Sequence, residues 1–452
     1  MGRSLLRSAG IPILVAAMLA SPAVAREDRA ADPNGAPAAS PGEVAALRAE
    51  IEQLRAQVRL LQEQMKLLVG GVAASVPAAP PPPPPPPAPA VPTRSQGLLN
   101  PAISAVFQTI GNASLKRSDQ KNGFDLSEAE VAFQSAIDPY AKMDLFLTFP
   151  SDGAPEVEEG YLSTLSVPGS LTLKAGRFKS AFGKWNTLHN HAFFTVERPV
   201  ALETLLGSES LTNDGLSLSV LIPNPWGLYL EAVTEVGTPR GGPSFNSDRR
   251  DLAYLEHVSA FFNMSPSSTV EVGLSAAFGR SGPSEALKDA LSDPNIGATL
   301  VPSDHLESDV AGADVTYKWK PPQMNVYRSF LWQTEWLRSR RRSESIVAGP
   351  ALSSGAVTAS GGYTYVEGQF TKRWRLGGRY DRTDLPDDAS ARESGGALVV
   401  RFVPSEFQEL RFEAERLHRN GAAAARFGGD ADDTRLLFEW IPVIGAHGAH
   451  KF

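Results

Sequence analysis

The chain of 452 residues contains no cysteine. Disulfides, thiolate zinc sites and a cysteine nucleophile are thereby excluded, as is a lipid anchor on an N-terminal cysteine. Apolar runs of spanning length are also missing, and the mean hydropathy of −0.17 is too polar for a bundle of membrane helices. It is compatible with strands that alternate lipid-facing and water-facing side chains. Neither sign of charge is in large excess: the formal charge is −7, which gives no footing for a nucleic-acid partner. Signatures of catalysis are absent too. There is no His-Glu-x-x-His, no Gly-x-Ser-x-Gly and no phosphate-cradling glycine loop. Carboxylates are plentiful, but no spacing singles out an acid/base pair. The expectation is a non-enzyme without a cofactor.

The first hundred residues carry an address and a spacer. Arg3 and Arg7 precede the apolar run Ile11 to Ala20, and Ala23-Val24-Ala25 offers a small-x-small cleavage site. Residues 1–25 therefore read as an export signal, followed by a flexible segment, 26–42. In 43–69, Val44, Leu47, Ile51, Leu54, Val58, Leu61, Met65 and Leu68 recur at alternating spacings of three and four. This is an a/d seam, and the spacing predicts a coiled-coil helix; a lone amphipathic helix is the competing reading. β-branched a residues with Leu at d favour a dimer. Residues 70–99 are rich in Ala and Pro, with unbroken proline from Pro80 to Pro87. Such a stretch is stiff polyproline II and cannot fold into a core.

From residue 100 the period changes to two. Trp374, Leu376, Gly378 and Tyr380 alternate with Arg375, Gly377, Arg379 and Asp381; Leu436, Phe438 and Trp440 alternate with Arg435 and Glu439. One face is apolar and the other charged, which suits lipid outside and water inside. Short connections such as Asp138-Pro139, Ile222-Pro-Asn-Pro225 and Asn263-Met-Ser-Pro266 alternate with longer polar ones near 111–123, 181–211, 237–250, 280–307, 341–360, 382–392 and 419–431. Counting through this punctuation gives about sixteen strands. The fold class is all-β: a transmembrane antiparallel β-barrel over 100–452, with aromatics such as Trp226, Trp319, Trp374 and Trp440 near the strand ends. A soluble β-sandwich competes, but it would turn its polar face outward. The chain ends His450-Lys451-Phe452.

A terminal Phe after an aromatic-rich strand resembles the insertion signal of Gram-negative outer-membrane proteins. The whole arrangement resembles the sixteen-stranded trimeric porins, particularly the phosphate-selective group and its coiled-coil-bearing dicarboxylate relatives. More narrowly, GRFKSAFGKWNTLHNHAFF, its continuation ERPVALETLLGSESLTNDGLSLSVLIP and the terminal GAHGAHKF are similar to a family labelled zinc-regulated TonB-dependent outer membrane receptors. The porin resemblance implies a passive channel for small hydrophilic solutes in the cell outer membrane, in contact with its lipid. It also implies a homotrimer, with the coiled coil in the periplasm. A TonB-dependent receptor carries a plug domain as well. Only about a dozen residues separate the proline run from the first strand, so the barrel is retained and that mechanism set aside. The alternative is a metal-linked receptor or binding protein with a closed barrel.

Segment 181–211, between the fifth and sixth strands, is the third connection at the long-loop end, and in general porins that loop folds inward and narrows the channel. The resemblance therefore implies constriction residues: Arg177 and Lys179 at the end of the fifth strand, then Lys184, His189, His191, Glu197, Arg198, Glu203 and Glu209. On the inferred water face of the last four strands stand Arg375, Arg379, Arg401, Arg411 and Arg435, with Glu413, Glu415 and Glu439 among the opposing or neighbouring acids, whereas acids dominate strands seven to eleven. A transverse field across a wet pore is expected, with a weak preference for anions. His189 and His191 lie on one side of an extended segment, and His447 and His450 follow the last strand. Zinc needs three or four ligands, so two histidines are an incomplete set and no metal is expected.

Overall fold

The computed structural model describes residues 101–445 apart from 116–121, 241, 248–250, 294–299, 348–350 and 427–428. The expected export signal, coiled coil and proline linker, together with His447 and His450, lie outside these residues.

About sixteen strands were expected, and sixteen are found among the described residues. The first eight are β1 (Ala102–Ser114), β2 (Gly123–Ala136), β3 (Ala141–Pro150), β4 (Glu156–Thr164), β5 (Leu171–Lys179), β6 (Thr212–Leu221), β7 (Tyr229–Arg240) and β8 (Ala253–Ser265). They are followed by β9 (Ser268–Ser281), β10 (Leu306–Trp319), β11 (Ser329–Val347), β12 (Ala351–Gln369), β13 (Trp374–Leu385), β14 (Asp388–Ser405), β15 (Gln408–Arg419) and β16 (Asp432–Gly445). Each strand pairs antiparallel with its sequence neighbours, and β16 returns to β1, with Thr109 opposite Trp440. Closure removes the edge strands that an open sheet of this size would expose.

Period two explains which side chains face out. Leu162, Leu173, Leu216, Trp336, Leu376, Leu398 and Trp440 stand exposed on the outside. Arg379, Asp381, Glu413 and Glu439 are buried inside. A belt of large apolar side chains facing out over charged side chains facing in suits hydrocarbon outside the wall. Turns at one end are held by local hydrogen bonds. Asp138 Oδ1 accepts from the amides of Tyr140 and Ala141, both at 2.8 Å. Asn224 does the same for Leu228 at 3.0 Å. Tyr140, Trp226, Phe370 and Phe407 project from these turns into solvent, amphipathic rings placed where a membrane interface would lie.

At the other end two expected loops are absent. Segment 341–360 continues the β11–β12 hairpin, and 382–392 is mostly strand, with Leu385 and Asp388 paired across the turn. Small residues such as Ser353, Ser354 and Gly355 carry little period-two contrast, which hid the strand. Backbone pairing persists there from Arg341–Val357 to Val347–Ala351. Among the described residues three short α-helices are found: α1 (Val200–Leu206), α2 (Glu285–Leu291) and α3 (Gly421–Arg426).

Candidate functional site

Between β5 and β6 the chain enters the barrel, and the largest buried apolar cluster forms there. Trp185 is 0% exposed. Its ring stacks on Phe193 at 5.0 Å and meets Phe194 edge-on at 5.7 Å. Phe194 lies flat on Tyr365 of β12, 5.3 Å between centroids. Leu337, Ala359, Tyr363 and Val399 of the wall complete this core with Leu202, Leu205 and Leu206 of α1. An aromatic cluster of this kind fixes the loop as a packed body.

Polar groups of the wall satisfy the loop backbone. Glu335 Oε1 accepts from the amides of Lys184 and Trp185, each at 3.0 Å, and from Tyr363 at 2.6 Å. Glu235 accepts from Ala181 at 3.1 Å, Ser275 from Gly183 at 3.0 Å, and Glu159 from Lys179 at 2.6 Å. Glu413 receives the Val196 amide at 2.6 Å and Asp381 that of Val200 at 2.7 Å. Arginines hold the carbonyls: Arg379 donates to Glu197 O at 2.6 Å and Arg411 to His191 O at 2.7 Å. The loop's two ends are joined by Asn186, whose amide donates to Ser180 O and Leu211 O at 2.8 Å and accepts from Leu211 N at 2.7 Å. Non-helical backbone inside a barrel needs such partners, since each unpaired amide would cost free energy.

The wall arginines are not one pole of a transverse field. Arg375, Arg401 and Arg411 stand side by side across β13, β14 and β15, and like charges so placed repel. Carboxylates on the same sector offset this. Glu409 bonds Arg401 at 2.6 Å and Arg411 at 2.8 Å. Glu367 bonds Arg401 at 2.8 Å and Glu439 bonds Arg411 at 2.8 Å. Arg379 pairs with Asp381 and Glu415, both at 2.7 Å. Arg435 takes Glu197 with both oxygens, at 2.7 and 2.6 Å, and also meets Glu415. The expected separation of arginines from acids is thus corrected: acids and bases interleave on β12 to β16, because alternate inward positions of those strands carry both.

Arg177 is a second correction. It shares the outward row of β5 with Leu173 and Ala175, while Phe178 takes the buried inward place. Its guanidinium bonds Asp214 at 2.7 Å and the Val157 carbonyl at 2.8 Å. It therefore lies outside the barrel and lines no passage.

The remaining candidates divide by exposure. Lys179, Arg198, His189 and His191 are buried, with Arg198 held by Gly207 O at 2.9 Å and Ser210 at 3.0 Å. Glu203 and Glu209 are exposed, and Glu197 and Arg375 are partly so. Lys184 is partly exposed and pairs with Glu271.

Residues 188–192 dock against β2 and β4. His189 Nδ1 lies 2.7 Å from Glu130 Oε2 and 3.1 Å from Glu158 Oε2, and its Nε2 is 3.0 Å from Glu159 Oε2. Burial opposes charge on this imidazole, but Glu158 beside it and hydrogen bonds to Glu130 and Glu158 hold its pKa well above the ordinary value of 6.5. His191 Nδ1 is 3.6 Å from Glu130 Oε2. Lys179 Nζ reaches Glu158 at 2.7 Å and Leu188 O at 2.9 Å. Sequence reasoning missed these carboxylates. Glu128 and Glu130 are two apart on one inward row, a legible signal. Glu158 and Glu159 are adjacent, and both reach inward only because Glu158 is the extra residue of a bulge: Phe146 faces Glu159 and Leu147 faces Val157.

No family model matches the chain. An uncharacterized protein of Aquifex aeolicus (strain VF5) is 29% identical over 377 residues, 77% of this chain and 74% of that protein. Among solved structures the chain is similar to OprB of Pseudomonas putida at high pH, with 8% identity, a TM-score of 0.49, and coverage of 76% of this chain and 94% of that one. It is also similar to the anion-selective porin from Comamonas acidovorans, with 11% identity, a TM-score of 0.47, and coverage of 76% and 99%.

Proposed function

We propose that the chain is an outer-membrane porin that admits small hydrophilic solutes by passive diffusion past an inward loop. The observation that carries this reading is a closed sixteen-strand wall, apolar outside and charged inside, crossed by the packed segment between β5 and β6. Lipid satisfies the outer face and water the inner one. Mixed, locally neutralised charge supports weak selectivity, because rings of one sign are what set a strong ion preference. Lys184, Glu197, Glu203, Glu209 and Arg375 are the side chains assigned to the passage. Assembly as a trimer, with the 43–69 helix adding avidity in the periplasm, belongs to the same proposal. Planar-bilayer recording tests it: discrete ohmic current steps are expected, and purified, folded protein that passes no current overturns it.

A second reading, a closed barrel acting as a binding protein, is favoured by one observation. At the level of the loop the wall charges are almost fully covered, with Arg379 at 4% and Glu439 at 0% exposed. The same recording separates the two readings, since a closed barrel gives no current steps.

A further inference from the structure

The cluster around His189 is larger than a loop anchor requires. Four carboxylates from β2 and β4 surround it: Glu130, Glu158 and Glu159 at 2.7, 3.1 and 3.0 Å from its ring nitrogens, and Glu128 one residue away through Asn190, at 3.1 Å. Lys179 supplies one fixed positive charge, to Glu158. Even with His189 protonated, the carboxylates outnumber the cations in contact with them, and buried unbalanced charge is costly. A second observation is independent of that count. Glu130 is 2% exposed, and its Oε1 is buried with no hydrogen-bond partner. Leaving such an atom of a charged group unmatched is costly.

The arrangement has the form of a metal site with its outer carboxylate in place. One ligand atom each from Glu130, Glu158 and His189 lies within 4.8 Å of the others. Ligands on an ion with bonds of about 2.0–2.1 Å are separated by roughly 3.3 Å, close to the 2.7 Å of His189–Glu130, the 3.1 Å of His189–Glu158 and the 3.6 Å of His191–Glu130. Glu159 on Nε2 fixes which face of the His189 ring points at Glu130 and Glu158, as an outer-shell carboxylate does for a ligating histidine. His191 adds a second imidazole on the Glu130 side.

We propose that His189 Nδ1, His191, Glu130 and Glu158 form a divalent-cation site that fastens the inward loop to β2 and β4. Imidazole with carboxylate selects a first-row transition ion over calcium or magnesium, which take all-oxygen sets. The ion takes the place of the proton on His189 Nδ1, and that proton leaves to solvent. Glu158, the least covered of the four at 14% side-chain exposure, is the side of entry. The proposal does not rest on the porin reading, since either an open or a closed barrel can hold it.

Full-length protein in detergent, stripped with a chelator, is titrated calorimetrically with zinc, manganese and calcium ions separately. Bound metal is counted by elemental analysis, and cobalt(II) serves as a visible-absorption probe of nitrogen ligation. The expected result is one equivalent of zinc or cobalt per chain, with calcium much weaker. Glu130→Gln and His189→Gln should each weaken zinc by at least tenfold, whereas His418→Gln, on the exposed outer surface, should leave it unchanged. Circular dichroism of each variant reports whether the barrel is folded. Failure of the stripped wild-type protein to bind zinc or cobalt overturns the site whatever the variants do. Undiminished binding by folded Glu130→Gln and His189→Gln overturns it equally. Bilayer currents read independently of these outcomes.

Discussion

At the residue scale, Gly183 shows how tightly the loop is fitted. Its φ of +59° is in the left-handed region, and a Cβ there would sit 2.1 Å from Glu335 Oε2, the carboxylate that receives the Lys184 and Trp185 amides. Gly183→Ala should cost about 1–3 kcal/mol from the backbone alone and displace Glu335 as well. Thermal unfolding in detergent should show a lowered transition; an unchanged one would mean the loop turn is not held as described. Arg411 gives a contrast of mechanism. Its removal in Arg411→Met leaves Glu439, which is 0% exposed, without its cationic partner, which should destabilise by about 3–5 kcal/mol. Arg338, exposed on the outside, should tolerate Arg338→Gln within about 0.5 kcal/mol. Chemical denaturation of the two variants side by side measures the difference. Inward placement of Arg379, Arg401 and Arg411 was readable from period two. Their partners were only partly readable, because neighbouring strands decide which carboxylate comes within reach. Arg177 was misplaced for a related reason: adjacent basic and aromatic residues at a strand end do not reveal which of them turns inward.

At the element scale, the wall was legible and the loop was not. Strands announce themselves by alternation over ten or so residues, so their number and order follow from the sequence alone. The β11–β12 extension escaped because Ser, Gly and Ala on both faces erase that alternation. The loop's fold depends on contacts with β2, β4, β7, β9, β11, β13 and β15, and no local pattern in 181–211 encodes them. Its histidines looked like an incomplete ligand set because the carboxylates that meet them come from strands some thirty and sixty residues away. The clamp made by Asn186 is the element's own weak point. Asn186→Ala removes its bonds to Ser180 and Leu211 at once, each worth about 1 kcal/mol. Limited proteolysis should then cut within 184–209 several-fold faster while the barrel stays intact. Equal cutting of wild type and variant would show that wall contacts alone hold the loop.

At the scale of the whole molecule, a closed wall holds a packed loop against its inner face. The apolar exterior follows from alternation and suits lipid, and the buried arginines of β13 to β16 are paired with carboxylates inside the wall. In the proposed assembly the 43–69 helix strengthens association between copies. Deleting 26–96 should weaken association in detergent, measured by light scattering, yet leave the β-signature of the barrel unchanged. Loss of the barrel signature would contradict the reading of 70–99 as a spacer. The central claim is that solutes pass the inward loop. Single-channel conductance of the full-length protein, compared with Trp185→Ala, tests it most directly, because Trp185 is the centre of the loop's packing. The account predicts small, discrete steps for the wild type and larger, noisier ones for the variant. No current from either protein, both folded and inserted, would contradict it.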